Sequence, residues 1–285
     1  MGWRRSAGFS FLILGVVGAA APPEELTVAD AAEQGNGVLI RTLLQGGAEV
    51  NIAQVDGMTA LHWAVYHDDA ETARLLVQSG ATVNAKNHYG VPPLSLAATN
   101  GNPDIVTLLL DADADANASL RGGETVLMTA SRTGSLEAVE ALLSHGADPS
   151  AREHRDQTSL MWAAAEGHVT VVEALIDAGA DIHAKLPSGF TPLFFAVRGG
   201  HMDVSQMFLA AGVDVNEVLE RVKDGPDEAV NNASYRPVDD GMSPLLMAVR
   251  NGHFELAVAL VKAGADPNDQ RTGFAPLHTM SWVRK

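Results

Sequence analysis

The chain has 285 residues, of which 46% are hydrophobic and 19% are charged, a balance typical of a folded chain. Its 35 acidic residues outnumber its 19 basic ones, and the formal charge of −16 argues against sequence-independent binding to nucleic acid or anionic lipid, since both need clustered positive charge. The chain has no cysteine, which excludes disulfides, thiolate metal sites and cysteine nucleophiles.

The first twenty residues have the order of a secretory signal peptide. Two arginines precede an apolar run over 9–17, and small residues follow at 18–21. The run is shorter than the roughly 20 apolar residues that a transmembrane helix needs, so we predict a signal peptide over 1–20, cleaved near Ala20. We therefore expect export, to the periplasm or the extracellular space. An uncleaved membrane anchor is the alternative, against which stand the two prolines that follow and would end a helix.

The rest of the chain is dominated by a 33-residue repeat. One alanine recurs at this spacing from Ala31 to Ala196 and once more at Ala248, after a 19-residue excess. Leucine-rich pairs and turn glycines keep the same period. We call these alanines the alanine ladder; its members are Ala31, Ala64, Ala97, Ala130, Ala163, Ala196 and Ala248.

Each copy predicts a turn, a short helix, a tight turn, a longer helix and an extended connection. In the copy that begins at residue 188, Thr191 is placed to cap a helix and Pro192 occupies its first position, where a missing N–H costs nothing. Gly200 ends that helix, and Gly212 suits the left-handed end of the next. Helices stacked about 10 Å apart leave room for little more than a methyl group, so we predict that the alanine ladder is buried between them.

Three stretches carry a family resemblance. Residues 57–64, 189–196 and 273–278 are similar to the G-x-T-P-L-H-x-A motif of ankyrin repeats, which also have a 33-residue period. The resemblance covers roughly 25–284. It implies an all-α fold, an ankyrin-repeat solenoid of stacked helix pairs with short β-hairpin-like fingers.

We divide 21–285 into about seven repeats and an incomplete one. The repeats cover approximately 24–55, 56–88, 89–121, 122–154, 155–187, 188–239, which holds a 19-residue finger insertion, and 240–271. We expect 272–285 to be a truncated repeat of a protein that continues further. Pro92 departs from the family pattern at a capping threonine, and Asp68 and Asp113 depart at turn glycines. Because aspartate tolerates the left-handed conformation, we expect these two turns to form.

The resemblance implies an interaction module rather than an enzyme. Phosphate loops, dinucleotide fingerprints, zinc-protease motifs and nucleophile elbows are all missing from the sequence. The alternating acids of 111–117 are similar to a calcium loop, but Ala116 and Gly122 stand where an EF-hand needs glycine and glutamate. We predict no cofactor and no metal.

Most histidines follow the repeat. His168, His201 and His253 share the turn between paired helices, and His62 and His278 share a motif position. Equivalent positions lie about a helix diameter apart, too far for one metal ion with bonds near 2 Å. We therefore predict structural hydrogen bonds for these side chains.

Two irregular features are the better functional candidates. The insertion, over 217–239, falls where a finger should be and is either a binding loop or a passive surface loop. One helix position reads Tyr66, Thr99, Arg132, Ala165, Arg198 and Arg250, so three arginines share it in an acidic chain. The candidate partner-binding residues are Tyr66, His67, Tyr89, Arg121, Arg132, Arg155, Phe190, Arg198, Tyr235, Met242 and Arg250.

Arginines that share a position favour an acidic peptide or loop as ligand, since a guanidinium pairs a carboxylate through two hydrogen bonds. Pairing within the chain, with acids such as Glu166 or Asp240, is the alternative. We thus predict an exported, monomeric scaffold that binds a partner protein through its concave face, with no affinity for nucleic acid or for membranes beyond the signal peptide. Two other functions stay open: the targeting arm of a longer enzyme, and a self-assembling envelope protein.

Overall fold

A computed structural model of the chain describes residues 26–220, 241–272 and 275–276; the predicted signal peptide lies outside them, as do most of the insertion and most of 272–285. Fourteen helices occupy the described part and follow one another in seven pairs. The pairs are α1 (Val28–Glu33) and α2 (Gly37–Gln45), α3 (Ala60–Tyr66) and α4 (Ala70–Gln78), α5 (Pro93–Asn100) and α6 (Pro103–Asp111), α7 (Val126–Thr133) and α8 (Leu136–Ser144), α9 (Ser159–Glu166) and α10 (Val169–Asp177), α11 (Pro192–Gly199) and α12 (Met202–Ala210), and α13 (Pro244–Arg250) and α14 (Phe254–Lys262). Each predicted repeat holds one pair.

The predicted all-α solenoid is confirmed. Each first helix of a pair packs against the first helix of the next pair, from α1 to α13, and the second helices α4 to α12 stack in the same order. Every member of the alanine ladder is buried, with at most 2% of its surface exposed. Within the described ranges, no helix is long and apolar enough to cross a membrane.

Local sequence explains where the first helices begin. Threonine hydroxyls accept hydrogen bonds from the backbone N–H groups of the first turn at Thr27, Thr59, Thr125 and Thr158, which satisfies donors that a helix leaves unpaired. Thr191 occupies the N-cap position of α11 as predicted, but the prediction that its hydroxyl caps the helix is wrong. Its hydroxyl donates instead to Glu217 at 2.5 Å, because the start of the insertion brings a carboxylate within reach.

The turns within and between pairs need left-handed backbone. The predicted aspartates fulfil this requirement, with φ of 58° at Asp68 and 64° at Asp113. Asp68 also accepts a hydrogen bond from the amide of Asn102 in the next repeat, at 2.7 Å. The two departures from glycine are therefore compatible with the repeat geometry.

A finger precedes each first helix from α3 to α11. Within each finger, a backbone N–H donates to the carbonyl four residues on, for example from Gln54 to Met58 at 2.9 Å. Neighbouring fingers are also joined, as where His88 N–H donates to the carbonyl of Asp56 at 2.9 Å. The fingers are hairpin-like turns, and the described residues contain one isolated antiparallel bridge, between Ser119 and Thr125.

Asparagines link successive repeats on the loops that follow the second helices. Asn84 donates to the carbonyl of Asp113 and accepts from the N–H of Asp115, both at 2.9 Å. Asn216 makes the same two bonds, to Gly264 at 3.1 Å and from Asp266 at 2.9 Å, although the insertion lies between them. The repeats on either side of the insertion are thus stacked like the others at this loop.

The insertion leaves and rejoins the solenoid at adjacent points. Leu219 N–H donates to the carbonyl of Met242 at 3.0 Å, and Gly241 N–H donates back to the carbonyl of Leu219 at 2.8 Å. Leu219 is buried, with 2% of its surface exposed. The residues that flank 221–240 therefore form a closed base, and Leu219 anchors that base in the core.

Candidate partner-binding face

The first helices bury one side and expose the other. A residue two positions after the ladder alanine lies about 200° further round the helix, so it faces away from the packed side. Tyr66 is 58% exposed at this position, and Arg198 and Arg250 are also exposed. We call the surface formed by this position, Tyr66, Thr99, Arg132, Ala165, Arg198 and Arg250, together with the adjoining fingers, the first-helix face.

Arg132 lies in the middle of the first-helix face. Its guanidinium carbon is 5.4 Å from the centre of the Trp162 ring, a cation–π contact between neighbouring repeats. Its terminal nitrogen also lies 3.5 Å from a carboxylate oxygen of Glu124. The acid that pairs with Arg132 is therefore Glu124, not Glu166, and Asp240 lies outside the described residues.

The side chain of Arg198 lies over aromatic rings. Its guanidinium carbon is 5.3 Å from the Phe190 ring centre and 4.9 Å from the Phe195 ring centre. The two rings contact each other nearly edge-on, at 5.6 Å. No carboxylate of the described residues lies within ion-pair distance of Arg198. Its charge is exposed and held over an apolar platform.

The predicted finger residues lie at exposed turns. Tyr89 is 70% exposed, and Arg121 and Arg155 are exposed as well. Arg121 donates to the carbonyl of His88 in the preceding finger at 2.7 Å, which fixes the direction of its side chain. These fingers therefore extend the first-helix face beyond the helices.

The structure does not place two of the predicted site residues, Met242 and Tyr235, on the first-helix face. Met242 is 2% exposed and lies in the core, because it closes the base of the insertion against Leu219. Its inclusion among the binding residues is corrected accordingly. Tyr235 lies outside the described residues. Phe190 is half-buried and reaches the face as the platform under Arg198.

Sequence reasoning missed a network at the N-terminal end of the face. Trp63 Nε1 donates to Gln54 Oε1 at 2.7 Å. Gln54 Nε2 in turn donates to Asp30 Oδ1 at 2.9 Å and to Glu33 Oε2 at 2.7 Å. The side chains of Tyr66 and His67 adjoin Trp63, with His67 stacked on it at 5.9 Å between ring centres. Gln54 thus joins acidic groups of the first repeat to an aromatic group of the second.

Hydrogen bonds hold Asp30 in its charged form. The bonds from Gln54 and from Thr27 lower the pKa of Asp30 below its ordinary value of 3.8. At neutral pH this carboxylate is ionised, and the network carries negative charge.

His62, His168, His201 and His253 form the predicted structural hydrogen bonds, whereas His278 lies outside the described residues. Nε2 of His168 donates to the carbonyl of Arg132 at 3.0 Å, and that of His201 to the carbonyl of Ala165 at 2.8 Å. His62 accepts from Thr59 and donates to the carbonyl of Val91 at 3.0 Å, and burial lowers its pKa. Among the residues that the structure describes, no three His, Asp or Glu side chains are grouped to hold a metal ion.

Comparison with known families gives one consistent result. The family model described as Ankyrin repeats matches residues 28–119, 94–186 and 127–218. The model of a single Ankyrin repeat matches 240–272, beyond the insertion. No curated protein matches the chain significantly.

Proposed function

This chain belongs to the ankyrin-repeat family, and from that premise we propose that it is a non-catalytic scaffold that binds an acidic segment of a partner protein along the first-helix face. Ankyrin repeats generally mediate protein–protein interaction. The family resemblance implies that this face is the concave one.

The platform under Arg198 is the observation that carries the proposal. A guanidinium that lies over aromatic rings keeps the N–H donors at its edge directed outward, in the geometry that pairs a carboxylate. The rings also restrict the side chain before binding, so less rotamer entropy is lost on complex formation. Phe190 and Phe195 thus prepare Arg198 to receive an acidic side chain.

Arg132 is expected to contribute less than Arg198. Its pairing with Glu124 at 3.5 Å already offsets part of its charge, and a partner carboxylate has to compete with that contact. The alternative of pairing within the chain therefore holds for Arg132 in part. Among residues within 26–220, 241–272 and 275–276, it does not hold for Arg198.

Single substitutions test the proposal directly. A partner isolated from the native source is titrated against the wild type, Arg198→Gln and the control Arg74→Gln, whose side chain is exposed on α4, a second helix. We expect Arg198→Gln to weaken binding roughly threefold to tenfold and to reduce its salt dependence, because a long-range attraction that salt screens is lost. Arg74→Gln removes the same charge and should change neither.

A combined variant and a deletion complete the test. Arg132→Gln with Arg198→Gln and Arg250→Gln should weaken binding further. The deletion should replace 221–240 with two glycines, because Leu219 is buried and must stay. Undiminished binding by both proteins would show that the first-helix face is not the binding surface.

The proposal also includes where and in what state the scaffold works. The signal peptide predicted over 1–20 supports an exported protein, in the periplasm or outside the cell. Mass spectrometry of the mature protein should show a chain that begins near residue 21, and an intact Met1 would contradict export by cleavage. The charge of −16 supports a monomer without affinity for nucleic acid. Light scattering over a concentration series should give a constant monomer mass.

A further inference from the structure

We propose that the N-terminal end of the first-helix face is a pocket for a basic side chain, an arginine or lysine, of the bound partner. This inference rests on the proposed function, because it assigns the partner's chemistry at the other end of the same face. The pocket is open and has a volume of about 670 Å³. Its lining residues are Asp30, Glu33, Gln54, Val55, Asp56 and Trp63.

The pocket concentrates negative charge, and its described lining holds no compensating cation. Gln54, which is neutral, joins the carboxylates of Asp30 and Glu33 through its two amide hydrogens, at 2.9 and 2.7 Å. Asp56 adds a third carboxylate, and no lysine or arginine of the described residues lines the pocket. Carboxylates held this close repel one another, and an incoming cation relieves that repulsion.

The walls suit a cation with a long apolar stem. Trp63 lines the pocket, and the face of an aromatic ring attracts a positive charge. Val55 is 95% exposed and offers apolar surface to the methylene groups of an arginine or lysine. Carboxylates with aromatic and aliphatic walls complement a basic side chain and disfavour an acidic one.

The geometry is fixed before any ligand binds. The indole N–H of Trp63 is occupied by Gln54 at 2.7 Å, so the ring cannot turn without breaking that bond. His67 stacks on the same ring and donates from Nε2 to the carbonyl of Glu33 at 2.9 Å. Binding a cation therefore requires little reordering of the side chains.

The two ends of the face give the partner a direction. The pocket lies at α1 and α3, whereas Arg132 and Arg198 lie on α7 and α11. Stacked helices are about 10 Å apart, so α3 and α7 are separated by roughly 20 Å, which about six residues of extended chain span. A bound segment should present its basic residue at least about six positions from the acidic residue that meets the arginines.

The test uses small probes on the full chain. The indole N–H resonance of Trp63, one of four tryptophans, is identified by its loss in Trp63→Phe and followed by NMR during titration. Nα-acetyl-arginine amide and Nα-acetyl-lysine amide should each shift it saturably. Nα-acetyl-citrulline amide, which has nearly the same shape as the arginine probe but no charge, should not. An equal shift with citrulline, or no shift with either cation, overturns the proposal.

Charge variants locate the response. Glu33→Gln keeps an oxygen that accepts from Gln54 but removes the charge. We expect this variant to bind the arginine probe about threefold more weakly, or weaker still. Glu137→Gln is the matched control, exposed on the second helix α8, and should leave the titration unchanged. Equal effects of the two variants would overturn the proposal. The comparison of arginine with citrulline on the wild type needs no variant, so it decides the matter even if Glu33→Gln does not fold.

The outcome separates this inference from the proposed function. Arg198→Gln does not touch the pocket, and its effect on partner binding is measured with a different ligand. If the arginine probe does not bind while Arg198→Gln still weakens partner binding, the proposed pocket is contradicted and the proposed scaffold function is retained. If the probe binds and the arginine variants do not change partner binding, the proposed acidic segment is contradicted and the proposed pocket is retained.

Discussion

The imidazole of His168 occupies the space that a side chain on Gly134 would need. A Cβ built on Gly134 would lie 2.5 Å from Cε1 of His168, closer than nonbonded atoms approach. The ring is kept there by the hydrogen bond from its Nε2 to the carbonyl of Arg132. Gly134 is also left-handed, with φ of 79°. Glycine is therefore needed at 134 for two reasons: its backbone is left-handed, and the imidazole of the next repeat leaves no room for a side chain.

Gly134→Ala should destabilise the chain more than Gly101→Ala. Both glycines are left-handed, so both substitutions carry a strain of about 1 kcal/mol. At Gly101 the nearest neighbouring atom, Cβ of Thr133, is 3.9 Å from the added Cβ, which leaves room for it. At Gly134 the imidazole must move and lose its bond, at a cost of about 1 kcal/mol more. Urea unfolding of the two variants measures the difference, and equal midpoints would contradict the steric argument.

Period and composition were enough to predict the helices and their packing. Ala163 is wholly buried because its copies recur where helices stack, and His168 bonds a carbonyl because its copies are too far apart to share a ligand. Both conclusions use spacing alone. Spacing does not say which side chains of adjacent repeats meet. Gln54 donates to Asp30 and Glu33, which lie 24 and 21 positions earlier. These two acids belong to the first copy, which lacks the ankyrin motif, so the repeat pattern did not predict the N-terminal pocket.

The insertion misled sequence reasoning in two places. Thr191 fits the capping pattern, but the insertion supplies Glu217 as a competing acceptor. Met242 follows the insertion and is a predicted binding residue, yet it is buried, as is the equivalent Met58, which is 9% exposed. Other repeats have Glu124 and Gln157 at this position, so comparison across the repeats does not decide its burial, and Met242 is buried where Leu219 pairs with it.

Ala163→Leu should destabilise the solenoid by about 1–3 kcal/mol, because Ala163 is fully buried between α9 and its neighbours and a larger side chain overpacks the contact. Ala165→Leu, two residues on in the same helix, is the control. Ala165 is only half-buried on the first-helix face, so its substitution should cost less than about 0.5 kcal/mol. Thermal unfolding compares them, and an unchanged midpoint in Ala163→Leu would remove the packing explanation of the alanine ladder.

Asn216→Ala should loosen the last helix pair. Asn216 joins the repeats on both sides of the insertion through its two bonds, to Gly264 and from Asp266. Their loss at an exposed site should cost about 1 kcal/mol. Because each repeat contacts only its neighbours, the effect should be local, as faster hydrogen exchange in α13 and α14 with unchanged exchange in α7 and α8.

The control for that experiment is Asn268→Ala. Asn268 has the same repeat position, but its side chain makes no hydrogen bond to any described residue. It should leave the exchange of α13 and α14 as in the wild type. Equal exchange rates in the two variants would mean that the asparagine bridge does not stabilise the stack.

Glu217 should make stability depend on pH. Burial raises the pKa of this carboxyl above its ordinary value of 4.5, an effect that the hydrogen bond from Thr191 offsets only in part. A raised pKa means that the folded chain binds a proton more tightly than the unfolded chain does. The contribution of Glu217 to stability is therefore complete below the unfolded pKa and declines as pH rises through the folded one.

Glu217→Gln isolates this contribution, since glutamine can still accept from Thr191 but carries no charge. We expect the variant and the wild type to unfold at nearly the same urea concentration near pH 4, where the carboxyl is mostly protonated in both states, and the variant to be more stable near pH 7.5. Glu220→Gln, exposed in the same segment, removes the same charge and should show no such divergence with pH. A variant that matches the wild type near pH 4 but is less stable than the wild type near pH 7.5 would mean that the ionised carboxylate stabilises the base of the insertion. In that case attraction to Lys185 and His183 outweighs burial, and the pKa of Glu217 lies below its ordinary value.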